Sequence, residues 1–242
     1  MQLAIVTGVS RGLGEALAVD LLARGFIVIG AGRAVSGKLN GANYLHATCD
    51  FARPAQIAAG VAPALRAAAG RKPSVATLIN SAAVASPAGV FGRLDAAEIE
   101  AAFAINVAAP TVMTDLFCRT FPDEGTARRI INISSGAAQT ALAGSAVYSM
   151  SKTALEMLTK AVCVEQTAPT FQCITLRPGI FETGMQAYMR TRDPVEFPSV
   201  AMFRGFKANG LLKDPADVAA RIVEKLVLGP VDNGRTYLHT DL

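Results

Sequence analysis

Short apolar runs alternate with amphipathic stretches along the whole chain, and this pattern limits the fold more than any other feature of the sequence. The apolar runs have the length of β-strands and are too short for buried helices. They lack the polar alternation of a strand with one solvated face, so both faces of each strand are expected to be buried. Buried strands separated by helices indicate a parallel sheet covered on both sides. The sequence therefore predicts a doubly wound α/β fold with a seven-stranded sheet.

The element boundaries follow from the same pattern. The predicted strands are Leu3–Val6, Phe26–Ala31, Tyr44–Thr48, Val75–Asn80, Ile130–Ser134, Gln172–Leu176 and Thr236–His239. The predicted helices are Gly12–Arg24, Pro54–Ala69, Ala96–Phe103, Val107–Phe121, Ala146–Gln166 and Pro215–Leu228. Asp95 with Glu98, and Asp214 with Pro215, are N-terminal capping signals for two of these helices. No repeat or linker divides the chain, so residues 1–242 are expected to form one domain.

Composition excludes several classes of protein. The chain is 51% hydrophobic and 17% charged, which is incompatible with intrinsic disorder. A net charge of +4 without a Lys/Arg cluster argues against a nucleic-acid partner. The mean hydropathy of +0.35 reflects 44 alanines. The long uncharged runs, 74–92 and 130–151, are interrupted by Ser, Asn, Gly or Pro, so we expect no membrane span in either.

Cysteine and histidine usage points to a reducing compartment and no metal. Four widely spaced cysteines without a CxxC pair are expected to be buried reduced thiols: Cys49, Cys118, Cys163 and Cys173. The two histidines are far apart in sequence, which disfavours a zinc site. The first apolar strand begins at Leu3, so no signal peptide is expected and the predicted location is the cytoplasm.

A glycine-rich turn follows the first strand, where the chain reads TGVSRGLG from Thr7 to Gly14. Glycines let backbone N–H groups approach a pyrophosphate at a helix N-terminus, where the helix dipole favours negative charge. The spacing TGxxxGxG resembles that of the short-chain dehydrogenase/reductases, a family with a Rossmann-type fold. The resemblance implies that the cofactor contacts Gly8, Ser10, Arg11, Gly12, Leu13 and Gly14.

The ends of the next strands carry further family positions. The second strand ends at Arg33, and no acid occurs between Phe26 and Leu39. A guanidinium offers a fork for the 2′-phosphate of NADP, which a carboxylate would repel. In the family, basic residues at Arg11 and Arg33 imply a preference for NADP(H). The resemblance also implies adenine and ribose contacts at Asp50, Phe51, Asn80 and Ala82, although the family's Asn-Asn-Ala-Gly is Asn-Ser-Ala-Ala in this chain.

Tyr148 and Lys152 form the family's Tyr-x-x-x-Lys pair, and four-residue spacing on a helix brings the two side chains together. A free tyrosine titrates near 10, and a neighbouring ammonium and the positively charged nicotinamide ring are both expected to lower that pKa. Ser135 lies thirteen residues before Tyr148, the spacing of the family's catalytic serine. Asn106 matches the family's fourth catalytic residue, which holds a water in the proton relay. Ser134, by contrast, is expected only to end the strand and cap the turn.

The chain also resembles the family's Pro-Gly-x-x-x-Thr turn after the sixth strand. The resemblance implies that this turn grips the nicotinamide through Pro178, Gly179, Ile180 and Thr183. Segments 134–138, 165–166 and 182–186 are similar to the branch of sepiapterin reductases and bacterial benzil reductases, which reduce a carbonyl beside another carbonyl with NADPH. Sepiapterin reductases anchor their pterin with an acid near the C-terminus, for which Asp241 is the candidate.

Residues 184–213 contain no clean strand and are predicted to be a substrate lid, because insertions of this length are usually functional. Its large adaptable side chains suit a bulky or aromatic ketone. The candidate substrate contacts there are Met185, Met189 and Phe203. We also expect a homodimer or homotetramer, because Ala146–Gln166 carries more apolar surface than one sheet face needs. The residues behind this expectation are Ala154, Leu155, Leu158, Val162 and Cys163.

Together the motifs predict an NADPH-dependent reductase of a ketone, such as a dicarbonyl, an aryl ketone or a pterin side-chain carbonyl. Tyr148 would be the general acid, Lys152 would bind the ribose, Ser135 would orient the carbonyl and Asn106 would support the relay. An alcohol dehydrogenase, or a reductase of a sugar or acyl thioester, is the alternative within the class. An NADP-sensing regulator on the same fold is the alternative outside it. The intact Asn-Ser-Tyr-Lys set disfavours a sensor, which needs none of the four.

Overall fold

The computed structural model describes residues 1–122 and 125–242. Its strands form one parallel sheet in the order β3-β2-β1-β4-β5-β6-β7. The strands are β1 (Gln2–Thr7), β2 (Ile27–Gly32), β3 (Tyr44–Thr48), β4 (Val75–Asn80), β5 (Ala127–Ile133), β6 (Phe171–Arg177) and β7 (Thr236–Leu238). The predicted doubly wound α/β fold is confirmed, and each predicted strand is present within a few residues of its expected ends.

Helices flank the sheet and also occur after β6. They are α1 (Gly12–Ala23), α2 (Pro54–Ala69), α3 (Ala96–Phe103), α4 (Ala109–Thr120), α5 (Ala146–Glu165), α6 (Gly184–Arg190), α7 (Val200–Ala208) and α8 (Pro215–Ile222). A π-helical turn, Ala104–Ala108, joins α3 and α4 into one rod, and a second one, Val223–Leu228, extends α8. The two helices α6 and α7 lie in the segment for which the sequence pattern predicted no regular element.

Both predicted capping signals are confirmed. The Asp95 carboxylate accepts the N–H of Glu98 at 3.0 Å, and the Asp214 carboxylate accepts the N–H of Ala216 at 2.7 Å. Pro215 occupies the first turn of α8. Each carboxylate thus satisfies an otherwise unpaired donor and lies at the positive end of the helix dipole.

The core consists of two apolar layers, one on each face of the sheet. Alternate residues of β1 serve the two layers: Ala4 and Val6 pack with α1 and α8, whereas Leu3 and Ile5 pack with α2, α4 and α5. This arrangement explains the uninterrupted apolar runs, because a period-two strand with both faces buried has no solvent-facing position.

The sheet also determines where a site can form. β1 lies between β2 and β4, so successive connections leave it in opposite directions at this point. The carboxyl ends of the parallel strands lie along one edge, and residues 80 of β4 and 132 of β5 are in register. Ligands of open α/β sheets bind at this edge, next to such a switch point.

The rod Ala96–Thr120 is long and apolar enough to cross a membrane by length and composition alone, with a mean hydropathy of 1.4 over its most apolar window. We did not expect this from the sequence. In the structure Met113 and Phe117 of the rod pack in the core layer with α2, and 39% of the window is buried. The rod is therefore a core helix with one face uncovered.

All four cysteines are free. Cys49 and Cys173 are buried, but Cys118 and Cys163 are only partly buried. The expectation of four buried thiols was therefore wrong for two of them. Both exceptions lie on helices, whose outer side remains accessible.

Candidate active site

The glycine-rich turn has the shape of an anion cradle. Gly8 and Gly12 have φ values of +77° and +66°, which side chains rarely tolerate. A Cβ on Gly14 would lie 2.3 Å from the carbonyl oxygen of Gly8, so α1 can approach β1 only with glycine at this position. Among the described residues no side chain caps the N-terminus of α1, whose first N–H groups and dipole favour an anion. These residues fit the pyrophosphate of a nicotinamide dinucleotide.

Arg11 and Arg33, which are predicted to determine the preference for NADP(H), are both exposed. Within the described residues neither Arg11 nor Arg33 makes an ion pair. The fold adds an acid that the sequence analysis missed, because Glu15 of α1 accepts a hydrogen bond from Ser36 in the loop after β2. Lys38 lies 3.4 Å from the same carboxylate and offsets its charge. The loop after β2 thus keeps a cationic character that suits a phosphate.

The side chains predicted for the adenine and ribose separate into two groups. Asp50 is partly exposed, and its carboxylate accepts the N–H of Ala52 at 3.0 Å. Phe51 and Asn80 instead point into the interior. The Asn80 amide donates to the Asn132 side chain at 2.8 Å. Both side chains are buried, so any contact of these two residues with the cofactor would have to come from their backbone groups.

A contact that the sequence analysis missed holds the chain beyond β4 against the glycine turn. The Thr7 hydroxyl accepts the N–H groups of Ser81 and Ala82 at 2.9 and 3.0 Å. A Cβ on Gly8 would lie only 2.8 Å from Cα of Ala82. Small residues are needed here, which explains why the departure from the family pattern at 80–83 still permits close approach.

Tyr148, Lys152 and Ser135 come together where α5 meets the end of β5. Lys152 is 3% exposed; its Nζ donates to the carbonyl of Ile133 at 2.8 Å and lies 5.7 Å from the centre of the Tyr148 ring. Burial lowers the pKa of Lys152 to about 8. The ammonium group is thus held at a fixed point beside the phenol.

The expectation that Lys152 lowers the pKa of Tyr148 was wrong for the protein's own groups. Burial raises the pKa of Tyr148, and the hydrogen bond with Ser135 lowers it only in part. Desolvation disfavours the tyrosinate more than the surrounding residues stabilise it. The phenol therefore stays protonated at neutral pH.

Asn106 occupies the π-helical turn and is fully buried. Its amide donates to the carbonyl of Val84 at 2.8 Å and to the Ser151 hydroxyl at 3.0 Å, and its oxygen accepts the N–H of Val84 at 2.9 Å. Ser151 in turn donates to the carbonyl of Tyr148 at 2.7 Å. Through these hydrogen bonds Asn106 connects α5, the helix of Tyr148, to the segment after β4. A π-helical turn at such a position is typical of functional sites.

The capping role that was expected of Ser134 at the end of β5 belongs to Ser135. Ser135, and not Ser134, caps the following turn by accepting the N–H of Ala137 at 3.2 Å. Ser134 is buried and donates to Glu156 of α5 at 2.8 Å. Glu156 is a residue that the sequence analysis missed; its spacing of four from Lys152 was the available signal.

The segment after β6 returns to the glycine turn. A Cβ on Gly12 would lie 3.6 Å from Thr183, and one on Gly184 would lie 3.7 Å from the guanidinium of Arg11. The Thr183 hydroxyl caps α6 by accepting the N–H of Gln186 at 3.2 Å. The predicted nucleotide and nicotinamide motifs therefore lie next to each other, at the start of the predicted lid.

An apolar cluster lies against Tyr148. Its buried members are Ala85, Ala88, Met189, Phe197 and Val200, and its partly buried members include Tyr148, Met185, Tyr188 and Phe203. Asp241 has different surroundings: its carboxylate accepts the N–H of Leu238 at 2.6 Å and pairs with Arg235 at 3.3 Å. The candidate acid is thus engaged in the C-terminal turn, and it is not a member of the cluster.

Comparison with known proteins adds independent information. The family model described as short chain dehydrogenase matches residues 2–194. The chain is 29% identical over 239 residues to benzil reductase ((S)-benzoin forming) of Bacillus subtilis (strain 168), which covers 98% of both proteins. It is 27% identical over 230 residues, 92% of both proteins, to the benzil reductase of Bacillus cereus.

Solved structures agree with this result. A short-chain dehydrogenase/reductase from Burkholderia vietnamiensis is 32% identical with a TM-score of 0.70, covering 80% of this chain and 93% of that one. A short-chain dehydrogenase from Streptomyces avermitilis is 26% identical with a TM-score of 0.77, covering 98% of this chain and 87% of that one.

The buried ammonium of Lys152 is predicted to lower the stability of the folded protein. Its folded-state pKa of about 8 lies below the usual lysine value, so the charged form destabilises the fold. This destabilisation is fully present below pH 8 and decreases as the pH rises toward 10. We expect Lys152→Met to raise the free energy of unfolding at pH 7 by about 2–3 kcal/mol, with a smaller gain at pH 9.5.

Urea unfolding at the two pH values measures this difference. Lys160→Met removes an exposed lysine of the same helix and serves as the control. A Lys152→Met protein less stable than the wild type at pH 7 would contradict the prediction.

Proposed function

Because the chain belongs to the short-chain dehydrogenase family, we propose that it is an NADPH-dependent carbonyl reductase, acting on a dicarbonyl or aryl ketone. The support for this substrate class is twofold. Relatives matching nearly the full length are benzil reductases by name. Tyr148 also packs against the same apolar cluster as Met185, Tyr188 and Phe203. These apolar surroundings carry the substrate argument, because a polyhydroxylated substrate would need hydrogen-bonding partners there.

In the proposed reaction the carbonyl carbon gains a hydride and the carbonyl oxygen gains a proton, giving an alcohol. NADPH, when bound, supplies the hydride. The Tyr148 hydroxyl donates the proton, and its raised pKa keeps that proton in place at neutral pH until the reaction takes it. Ser135, its hydrogen-bond partner, orients the substrate oxygen. Lys152 binds the ribose of the cofactor and lies beside the phenol.

Asn106 has a positioning role in this scheme. Its amide binds Ser151, one residue before Lys152, and both backbone groups of Val84. These contacts keep the helix of Tyr148 fixed while a proton leaves the phenol. Replenishment of that proton through a water held near Asn106 remains part of the proposal.

The preference for NADPH is also a proposal. It is supported by the exposed guanidinium groups of Arg11 and Arg33 and by the absence of an ion pair for either among the described residues. The cradle of Gly8, Gly12 and Gly14 would hold the pyrophosphate. Thr183, which lies next to Gly12, would meet the nicotinamide end.

We further propose that residues 184–213 cover the substrate. The segment is docked through the Ser199 hydroxyl, which donates to the carbonyl of Ala143, and through Phe197, which packs against Gly144. Buried Met189 and Phe197 form its packing side, so Met189 is better explained as a packing residue than as the substrate contact expected from the sequence. Partly exposed Met185 and Phe203 remain the candidates for contact with substrate.

A second copy of the chain is the proposed partner. Met150, Met157 and Val164 are 45%, 60% and 78% exposed and lie seven residues apart, on one face of α5. Of the residues named from the sequence, Leu155 and Val162 are buried within the chain and cannot form this interface. The uncovered side of α4 lies on the same layer. Four free cysteines suit the cytoplasm, where we place the enzyme.

The test of the function is NADPH oxidation with benzil as substrate. We expect Tyr148→Phe to lower kcat by at least about 10²-fold while the Kd for NADPH changes less than about threefold, because only the proton donor is lost. Tyr237→Phe on β7 is the control. Turnover of Tyr148→Phe near the wild-type rate would refute the assignment, and an inactive wild type would refute the reductase.

The cofactor preference is tested at the 2′-phosphate. We expect wild type to have a higher kcat/KM with NADPH than with NADH, and Arg33→Ala to reduce that ratio by about tenfold, since a charge-assisted hydrogen bond is lost. Arg71→Ala, an exposed arginine before β4, should leave the ratio unchanged. A ratio that Arg33→Ala does not alter would exclude this contact.

The lid proposal predicts different effects for a residue that contacts the substrate and a residue that only packs the lid onto the domain. We expect Phe203→Ala to lower kcat/KM for benzil about tenfold more than for a small aliphatic ketone. Met189→Ala should instead lower the free energy of unfolding by about 2–5 kcal/mol and affect both substrates equally. Equal losses for both substrates in Phe203→Ala would remove this residue from the specificity argument.

For the assembly, we expect light scattering to give at least twice the 25.2 kDa mass of one chain at micromolar concentration. Met157→Lys should shift the species toward the monomer, because a charge would be buried in the interface. Thr153→Lys, at another exposed position of the same helix, is the control. A monomeric wild type would overturn the proposal.

A further inference from the structure

Glu156 is a partly buried charge that the proposed mechanism does not use. It lies eight residues after Tyr148 and four after Lys152, so the three side chains share one face of α5. The side chain of Glu156 is 14% exposed and that of Arg177 is 12% exposed. A charge so far removed from water requires partners with good geometry.

Those partners come from the ends of two neighbouring strands. Arg177, the last residue of β6, donates through Nε and Nη2 to the two carboxylate oxygens at 2.8 and 2.7 Å. Ser134, directly after β5, donates to Oε1 at 2.8 Å. Burial raises the pKa of Glu156, but the bonds from Arg177 and Ser134 bring it below its usual value. The carboxylate is therefore ionised and fully engaged.

Each partner is the chain neighbour of a proposed site residue. Ser134 precedes Ser135, which bonds Tyr148, and Arg177 precedes Pro178 of the proposed nicotinamide turn. One carboxylate on the tyrosine helix thus connects the two strand ends that carry the remaining groups. A bidentate bond fixes orientation as well as distance.

We propose that Glu156 is a positioning residue of the reductase, holding Ser135 and the turn after Arg177 at a fixed distance from Tyr148. This proposal rests on the proposed function. A carboxylate that only stabilised the fold would affect the melting temperature and catalysis together. A positioning residue affects catalysis even when stability is restored, and this difference can be measured.

Two variants separate the roles. Glu156→Gln keeps the shape but leaves Arg177 as an uncompensated, largely buried charge, so both Tm and kcat should fall. The double variant Glu156→Met with Arg177→Met removes both charges at similar volume and should return Tm to within a few degrees of wild type. We expect its kcat for benzil to stay at least about tenfold below wild type, with KM for NADPH within about threefold. Recovery of kcat together with Tm would overturn the proposal.

Asp232→Asn removes a carboxylate from the exposed pair with Arg235 and serves as the control for loss of an ion pair, with wild-type kcat and Tm expected. Arg177→Lys, which keeps the charge but loses the bidentate bond, should give an intermediate kcat. A double variant with wild-type kcat would assign a purely structural role.

A second measurement does not depend on turnover and therefore separates this proposal from the function. Tyrosinate absorbance, taken as the difference from Tyr148→Phe, reports the titration of Tyr148. The bond from Ser135 lowers that pKa, so its misplacement in the double variant should raise the midpoint of the Tyr148 titration measurably above that of the wild type. Identical midpoints would overturn the positioning role even if the reductase activity is confirmed. A shifted midpoint in an enzyme inactive on every ketone would support the role while refuting the proposed substrate class.

Discussion

The contact between α5 and the ends of β5 and β6 is the interaction on which the site depends. It is made by charged and polar side chains that are almost completely removed from water. Lys152 donates a hydrogen bond to the carbonyl of Ile133, and the carboxylate of Glu156 accepts hydrogen bonds from Ser134 and Arg177. Buried charges of this kind cost stability unless their partners are fixed, so the contact has one geometry rather than several. The same geometry sets the position of Tyr148 relative to Ser135.

Burial changes the chemistry of the two groups in opposite directions. It raises the pKa of Tyr148 and lowers that of Lys152 to about 8, because both charged forms are disfavoured away from water. At neutral pH the phenol is therefore protonated, and it carries the proton that the proposed reduction would transfer to the substrate oxygen. The cost in stability carried by Lys152 is of the kind expected where function and stability compete.

Hydrogen bonds between side chains also connect the helices to the strands and loops they pack against. Apolar packing alone would let these elements shift relative to one another. Asn106 connects the π-helical turn to Val84 and Ser151, while Thr7 binds the chain after β4. The Asn132 side chain accepts from Asn80 and donates to Thr159 inside the sheet layer. Each buried donor with a specific acceptor favours a single register of strand and helix. The loops that carry the site are therefore positioned by the interior of the protein.

The sequence alone determined the sheet, the order of its elements and the glycine turn, because these depend on local periodicity and on glycine geometry. The resemblance to the family also pointed to Tyr148, Lys152, Ser135 and Asn106 as site residues, and the structure brings Tyr148 and Lys152 together on one face of α5. Tertiary structure decided what no spacing encodes: that Asn80 turns inward, that Glu15 reaches the loop after β2, and that Glu156 joins Arg177. It also decided the direction of the pKa shift of Tyr148, since desolvation is a property of all the atoms that surround a group and not of its neighbours in sequence.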